Sequence, residues 1–232
     1  MQKKNYSSLV YYLLSLSFLL IALLGSVHFW SFNRSFYESE HSKIMLYGKH
    51  INEHIGISNE DLTYLTDFTL DYLNDPKASL DLQLEVNGQL REIYTNDEKL
   101  HMIDVRNLNL AANYILIGSI IVFIVCLFII YKKYSFNEIW FKYKNFIKVV
   151  GLFFAVLIVW ILIDFDSFWT FFHHIFFPSN ELWLLDLRRD ILIMIVPPEF
   201  FNDLVTTIVA TFVIAMLLFT FVLYKLSRKN IK

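Results

Sequence analysis

The side chains best suited to acid–base chemistry form a short motif around His101. Glu98 lies three residues before this histidine and Asp104 three residues after it, so a helix would place both carboxylates on the face that carries the imidazole. Carboxylates in these positions raise the basicity of a histidine and hold one of its tautomers. The motif indicates a general base, and the same spacing also fits a surface histidine within a solvated acidic stripe.

A second candidate, His173, lies within a dense aromatic run. On a helix, Trp169, Phe176 and Phe177 share the face of His173 and would leave the imidazole inside an aromatic wall. A buried neutral imidazole has a lowered pKa and can act as a base or an acid. The alternative is an interfacial histidine that only fills an aromatic belt. The neighbouring His174 is expected to point elsewhere as a structural residue.

Other chemistries have weaker support in the sequence. Zinc takes histidine and carboxylate ligands, so a site built from His101, Asp104 and His173 is conceivable, but no metal-ligand spacing demands it. The chain has no serine nucleophile elbow, no glycine-rich phosphate loop and no nucleic-acid patch. Its single cysteine, Cys126, lies in an apolar stretch and offers no outer thiol for covalent catalysis.

The elements that must hold these side chains follow from the apolar composition. Hydrophobic residues make up 56% of the 232 residues, and a helix needs about 20 apolar residues to cross the acyl core of a bilayer. Four stretches meet or approach that length, at residues 9–29, 110–130, 146–163 and 204–223. The predicted fold class is an all-α membrane protein with four transmembrane helices, whose first span is expected to be an uncleaved signal anchor.

Lysine and arginine residues fix the expected orientation, because short basic loops stay in the cytoplasm. Such residues lie before the first span, in the loop at residues 131–145 and in the tail at residues 224–232. Only one acidic residue, Glu138, falls in these segments. We therefore predict cytoplasmic termini and two extracytoplasmic segments, at residues 30–109 and 164–203.

The first of these segments is predicted to form a mixed α/β cap. Ser58 or Asn59 caps an expected helix over residues 60–73. Apolar and polar residues alternate before the Asn-Gly pair at residues 87–88, and further apolar residues follow it, which predicts a β-hairpin with a type I′ turn. The Thr-Asn-Asp-Glu sequence at residues 95–98 is typical of a capping box, which here would open the helix of the first histidine motif.

The second extracytoplasmic segment combines the aromatic run with a shorter apolar patch. Aromatic residues at this density are typical of the headgroup level of a membrane. The patch at residues 191–196 is too short to cross a bilayer and ends at Pro197-Pro198, so we expect it to lie along or dip into the outer interface. The two extracytoplasmic segments are expected to meet there.

Two motifs give the chain a specific resemblance, and they read Glu98-x-x-His101-Met102-x-Asp104-Val105 and Phe172-His173-x-x-Phe176-Phe177. The chain resembles the lipoprotein intramolecular transacylases, a family of bacterial membrane proteins. Further residues continue the resemblance in order and spacing, namely Asn180, Trp183-Leu184-Leu185-Asp186, Asp190-Ile191-Leu192-Ile193 and Pro198-Glu199-Phe200-Phe201. The layout of four spans with an outer cap extends it over the whole chain.

The resemblance implies a substrate and a reaction. The substrate is a diacylglyceryl lipoprotein whose N-terminal cysteine has a free amine. Its sn-2 acyl chain migrates to that amine and gives the lyso form. The enzyme would lie in the bacterial plasma membrane, with its active site where the outer cap meets the membrane. Lipoprotein and membrane lipid are the implied partners, no nucleic acid is involved, and neither a cofactor nor a metal is implied.

The resemblance also assigns site residues. His101 and His173 correspond to the two catalytic histidines of the family. The expected supporting or substrate-binding residues come from the same motifs and from the downstream matches, and they are Glu98, Asp104, Trp169, Phe172, Phe176, Phe177, Asn180, Trp183, Asp190 and Glu199.

Two imidazoles suit this reaction on chemical grounds. An α-amine with a pKa of about 7.7 to 8.0 is mostly protonated at neutral pH and needs a base before it can attack an ester. The attack closes a medium ring of about eight atoms, which needs a template such as an aromatic-lined pocket. We expect His101 to be the base and His173 to donate or polarise, with Asn180 or Trp183 as a candidate donor to the oxyanion.

Two other functions are compatible with the same residues. A metal-dependent membrane hydrolase would use His101, Asp104 and His173 as ligands and would lose its activity on chelation. A non-catalytic membrane scaffold would bind lipoproteins and leave them chemically unaltered.

Overall fold

The structure is a computed structural model that describes residues 2–134 and 136–229. Most of these residues are helical. Two compact units are present: the first comprises the residues up to 28, residues 112–168 and those from 207, and the second comprises residues 29–111 and 169–206. The elements in chain order are α1 (Gln2–Ser31), α2 (Arg34–Lys43), β1 (Met45–Leu46), β2 (Lys49–His50), α3 (Ile51–Ile55), α4 (Asn59–Asn74), β3 (Gln83–Val86), β4 (Gln89–Glu92), α5 (Asn96–Lys133), α6 (Phe136–Ile163), α7 (Phe165–Phe176), α8 (Ile191–Ile195) and α9 (Pro198–Lys229).

Within the described residues, four helices are long and apolar enough to cross a membrane, and these are α1, α5, α6 and α9. Each of them contains one of the four predicted spans. Protein buries only a minority of the most apolar window of each helix, from 39% in α1 to 6% in α6. Side chains such as Leu152 and Phe153 are exposed, as expected for helices that lipid solvates. The prediction of four long apolar helices is confirmed.

Two apolar clusters hold the first unit together. One joins all four long helices through Tyr11, Leu14, Cys126, Ile130, Ile139, Tyr143 and Leu223. The other lies between α1 and α9 and contains Leu19, Ala22, Phe212 and Met216. Close packing of these side chains holds the helices together, because in lipid there is no hydrophobic driving force for burying apolar surface between helices.

The second unit combines residues from both segments predicted to be extracytoplasmic. Its longest complete helix, α4, begins with a capping box in which Ser58 Oγ accepts the Asp61 N–H at 3.0 Å. The Asp61 carboxylate in turn accepts the Ser58 N–H at 3.4 Å. The helix covers Asn59–Asn74 and agrees with the predicted range of 60–73 to within one residue at each end.

The predicted hairpin is formed by β3 and β4. These strands pair antiparallel with Val86 opposite Gln89, so Asn87 and Gly88 form a two-residue loop. Their φ angles are 53° and 78°, both positive as a type I′ turn requires, and the prediction is confirmed. The turn packs closely on Gly56, where a Cβ would lie 2.3 Å from the Asn87 side-chain oxygen, so only glycine fits this position.

Side-chain contacts fix the first turns of α5 against the hairpin and α4. Lys99 Nζ lies 2.6 Å from the Asp81 carboxylate, and the Arg106 guanidinium lies over the Tyr72 ring at 4.4 Å from its centroid. Asn109 Nδ2 donates to a backbone carbonyl at the end of α4 at 2.9 Å. These contacts set the position of the helical face that carries the first histidine motif.

The apolar patch after the aromatic run forms the short helix α8. Ile191, Leu192, Met194 and Ile195 are all buried within the second unit. His41 of α2 holds the end of this helix, since its Nε2 lies 2.8 Å from the Ile195 carbonyl oxygen. Protein side chains cover this patch, and its expected position at the outer interface stays a prediction.

Candidate active site

Glu98 opens α5 and is fully buried. One carboxylate oxygen accepts the Thr95 N–H at 2.6 Å, and Thr95 Oγ1 accepts the Glu98 N–H at 3.3 Å, so the predicted capping box is present. The other oxygen accepts the Leu192 N–H of α8 at 2.7 Å. Burial raises the pKa of Glu98, while these amide hydrogen bonds oppose the rise. Glu98 therefore ties α5 to α8, rather than serving as the partner of the His101 imidazole that the spacing predicted.

His101 lies one turn further along α5, and only 7% of its surface is exposed. Its ring meets Phe177 edge-on, with centroids 5.3 Å apart, and its Nδ1 is buried with no hydrogen-bond partner among the described residues. The pKa of His101 is lowered to about 4, mainly by burial and also by the nearby His173, while Asp104 opposes the change. The expectation of raised basicity was wrong, because loss of hydration outweighs the charge of one nearby carboxylate.

Asp104 connects this face of α5 to the segment between α7 and α8. Its carboxylate accepts a hydrogen bond from Asn180 Nδ2 at 3.0 Å. The Asn180 side-chain oxygen accepts the Leu182 N–H at 3.2 Å. Asn180 thus holds the turn that leads to Trp183, and its amide is engaged at both ends.

His173 lies in the last turn of α7, and 6% of its surface is exposed. Its Nδ1 lies 2.8 Å from the carbonyl oxygen of Trp169. A carbonyl oxygen can only accept, so Nδ1 carries the proton of the neutral ring and Nε2 keeps a lone pair. Burial lowers the pKa of His173, although the bond to Trp169 opposes this. At neutral pH the ring therefore presents a hydrogen-bond acceptor at Nε2.

The two predicted catalytic histidines lie side by side in the second unit. Their ring centroids are 6.3 Å apart, and the ring planes are inclined by 31°. His101 comes from α5 and His173 from α7, so the pair forms only when the two chain segments of the second unit fold together. Two neutral imidazoles at this separation can contact the same functional group of a substrate.

Aromatic rings surround His173, as the sequence predicted. Trp183 stacks on it at 4.7 Å with an inclination of 26°, and Trp169 meets it at 4.7 Å with an inclination of 74°. Phe172 and Phe177 lie 5.6 and 5.8 Å away between centroids. These four rings form the aromatic wall of the site, a name used below for Trp169, Phe172, Phe177 and Trp183.

Three residues near the motif lie outside this wall. Phe176 packs on Phe172 at 4.7 Å between centroids, and 46% of its surface is exposed. His174 is exposed and meets Trp183 edge-on, with centroids 5.4 Å apart. Glu199 is exposed in the first turn of α9. Phe172 thus takes the place in the wall that helical spacing gave to Phe176.

Asp190 is a fully buried carboxylate immediately before α8. One oxygen accepts from Arg189 Nε at 2.8 Å, and the other accepts the Asp186 N–H at 2.8 Å. Burial acts to raise the pKa of Asp190, but these hydrogen bonds lower it overall. Asp190 thereby fixes the turn that presents the Leu192 amide to Glu98. Sequence reasoning missed Arg189, although a cation beside an acid at the start of an apolar patch was an available signal.

The residues of the zinc hypothesis do not form a metal site. In the part of the chain that the structure describes, no group of three or more His, Cys, Asp and Glu side chains lies close enough to hold a metal ion. Asp104 bonds to Asn180 instead, and Nδ1 of His173 is taken by a backbone carbonyl.

A family model described as lipoprotein intramolecular transacylase Lit matches residues 12–201. The match spans both histidines, the aromatic wall and most of the chain. The chain belongs to the lipoprotein intramolecular transacylase (Lit) family.

Solved structures of a Lit protein share the fold. The in meso structure of the membrane-integral Lit from Bacillus cereus has a TM-score of 0.77 at 19% identity and covers 98% of each chain. Two variants of that protein, each with a histidine replaced, have TM-scores of 0.73 and 0.70 at 18% identity. They cover 98% and 99% of this chain, and 95% of their own chains. No curated protein sequence is significantly similar to this chain.

Membership of the Lit family gives the activity. The protein is an acyltransferase of the membrane, a lipoprotein intramolecular transacylase. It moves the sn-2 acyl chain of a diacylglyceryl lipoprotein to the amine of the N-terminal cysteine and produces the lyso form. Four long apolar helices make it a multi-pass membrane protein.

Proposed function

We propose that His101 and His173 catalyse this transfer as two neutral imidazoles with complementary roles. His173 accepts a proton at Nε2, and His101 donates a hydrogen bond to the reacting carbonyl group. One observation carries this division: the bond from His173 Nδ1 to the Trp169 carbonyl leaves only an acceptor at Nε2. The division reverses the sequence-based expectation, in which His101 was the base.

The lowered pKa of His101 supports its role as a donor. A base with a pKa of about 4 is poorly matched to proton transfer near neutral pH. A neutral imidazole nevertheless keeps one N–H, and such a group can polarise a carbonyl without becoming charged. His101 therefore acts best on the ester oxygen, while His173 acts on the amine.

The proposed steps conserve atoms and protons. The neutral amine attacks the carbonyl carbon of the sn-2 ester, and a new N–C bond forms. His173 Nε2 accepts the proton that the nitrogen loses, and the resulting imidazolium gives it to the sn-2 oxygen as the C–O bond breaks. The products are an amide and a free sn-2 hydroxyl group. Neither water nor an acyl-enzyme takes part.

The aromatic wall supplies the template for ring closure. Trp169, Phe172, Phe177 and Trp183 present apolar surface around the proposed base, which suits the thioether and acyl groups of the substrate. A substrate held there has its amine and ester close together before reaction. Such positioning can lower the activation free energy by about 7–11 kcal/mol in favourable cases.

The remaining predicted site residues support this arrangement in different ways. We assign Glu98 and Asp190 to holding α5 and α8 together, and Asp104 with Asn180 to holding the turn before Trp183. Two exposed residues, Phe176 and Glu199, stay predictions as substrate-binding residues.

The first test follows the acyl chain directly. Purified protein is incubated with a synthetic diacylglyceryl lipopeptide that has a free cysteine amine, and the product is fragmented in a mass spectrometer. We expect a product of unchanged mass whose acyl group has moved from the glyceryl fragment to the cysteine nitrogen. Loss of the acyl group with gain of water would instead support the hydrolase alternative. An unaltered lipopeptide would support the scaffold.

We also propose that both termini are cytoplasmic and that the second unit, a small α/β cap, lies outside the cell with its histidines at the outer membrane interface. Single cysteines in a Cys126→Ser background test this with an impermeant thiol reagent on intact cells. Cysteines at the exposed positions Glu60 and Ser179 should be labelled, and a cysteine at Lys133 should be labelled only after lysis. The opposite pattern would place the histidines in the cytoplasm.

A further inference from the structure

Few buried polar atoms of the second unit lack a partner. Across the residues that the structure describes, the buried side-chain atoms without a hydrogen bond are Glu40 Oε2, His101 Nδ1 and Trp183 Nε1. Buried polar groups are normally paired, because burial removes their hydrogen bonds to water and an unpaired group gains no hydrogen bond in exchange. Two of these three atoms belong to rings that contact His173. Unpaired polar atoms therefore concentrate at the proposed reaction centre.

Trp183 is placed by two other residues of the site. Its indole stacks on His173 at 4.7 Å, and Asn180 holds the turn that precedes it through its bonds to Asp104 and to the Leu182 amide. An indole Nε1–H is a donor and cannot accept. Any group that pairs with the Trp183 N–H must therefore be a hydrogen-bond acceptor.

The chemistry of acyl transfer supplies such an acceptor. The ester carbonyl oxygen gains a full negative charge in the tetrahedral intermediate, and donors that are already oriented stabilise it best. The sequence offered Asn180 and Trp183 for this role. One N–H of the Asn180 amide already donates to Asp104 and its oxygen accepts the Leu182 N–H, whereas the single N–H of the Trp183 side chain is unpaired.

We propose that Trp183 Nε1–H is a catalytic hydrogen-bond donor to the carbonyl oxygen of the migrating acyl chain, an assignment that rests on the proposed function. The oxygen lies between the indole N–H and the N–H of His101, and His173 remains free for the amine. The segment between α7 and α8, which carries Trp183, has no helix or strand. A small displacement of the indole as the ester enters brings the covered N–H to the oxygen.

Trp183→Phe tests the assignment, because it keeps a ring on His173 and removes the N–H. We expect kcat to fall by roughly 10²–10³-fold, as for other single oxyanion donors, with a much smaller change in KM. A second protein carries β-(3-benzothienyl)alanine at position 183, which preserves the shape of the indole and replaces the N–H with sulfur. It should lose as much activity as Trp183→Phe. Trp140→Phe, in the first unit, is the matched control and should keep wild-type activity.

The outcomes separate this assignment from the proposed function. Equal losses in two variants with wild-type melting temperatures would support the N–H as the active group. A benzothienyl variant with wild-type kcat would overturn the assignment, whatever the effect of Trp183→Phe, because ring shape would then explain the role of this position. A wild-type protein that forms no lyso product would instead overturn the proposed function, and this assignment with it.

Discussion

Replacing His173 with alanine should lower lyso-form production by about a hundredfold to ten-thousandfold, the usual effect of losing a general acid or base. Replacing His101 with alanine should lower it by about a hundredfold to a thousandfold, the usual effect of losing one hydrogen-bond donor to the reacting carbonyl. His173→Ala removes the Nε2 acceptor, and His101→Ala removes the N–H that faces the carbonyl group. The rate is measured with purified variants and a synthetic diacylglyceryl lipopeptide, by mass spectrometry of the lyso product. A loss of this size would also remove detectable product from cells.

His174→Ala is the matched control, because it removes an exposed histidine directly beside His173. It should retain most of the activity. Melting temperatures of all three variants distinguish a chemical effect from unfolding, since His101 and His173 are themselves buried. A folded His101→Ala or His173→Ala variant with near wild-type activity would contradict the proposed pair.

The acyl chain should never leave the molecule on which it started. In a mixture of two substrates that differ in both peptide label and sn-2 acyl label, we expect products that keep their original combination and no crossed products. The reason is that the nucleophile and the ester belong to one molecule, and ring closure outcompetes an encounter with a second substrate. Mass spectrometry of the mixed reaction measures all four possible products at once.

Appreciable crossover would exclude the ring-closing mechanism even if both histidines proved essential. It would indicate an acyl-enzyme or an intermolecular acyltransferase. Reactions of each substrate alone, mixed only after quenching, are the control, because they show whether labels exchange during sample handling.

Local sequence chemistry predicted the parts of the fold whose cause is local. Ser58 begins a helix because its hydroxyl accepts an amide three residues later, and Thr95 does the same for α5. Asn87 and Gly88 form their turn because both tolerate positive φ. The four long helices followed from apolar length alone. None of these features depends on a distant residue.

The features that the sequence did not predict depend on distant partners. One Glu98 oxygen accepts the Leu192 amide, which lies 94 residues further along the chain. Glu98 was expected to be a partner of His101, and this contact instead makes it a structural link between α5 and α8. The pKa of His101 was misjudged for a similar reason. Phe177 and His173 bury its ring, and the spacing of residues along a helix does not show whether a side chain is buried.

Helical spacing also gave an incomplete picture of the aromatic wall. It identified Trp169 and Phe177 on the α7 face of His173. It could not identify Trp183, which stacks on His173 but comes from an irregular segment where helical periodicity does not apply. The resemblance to the family indicated Trp183 as a site residue, and only the folded chain gives its place on the imidazole.

Water competes with the amine for every ester that a pair of histidines activates. The aromatic wall and Phe177 against His101 leave both imidazoles less than a tenth exposed, so few water molecules can reach the reacting carbon. The histidines would speed hydrolysis and transfer alike, and the apolar enclosure decides how they compete. The aromatic wall therefore determines how much of the ester becomes the amide and how much is hydrolysed to free fatty acid. A substitution that opened the wall would convert the transacylase towards an esterase.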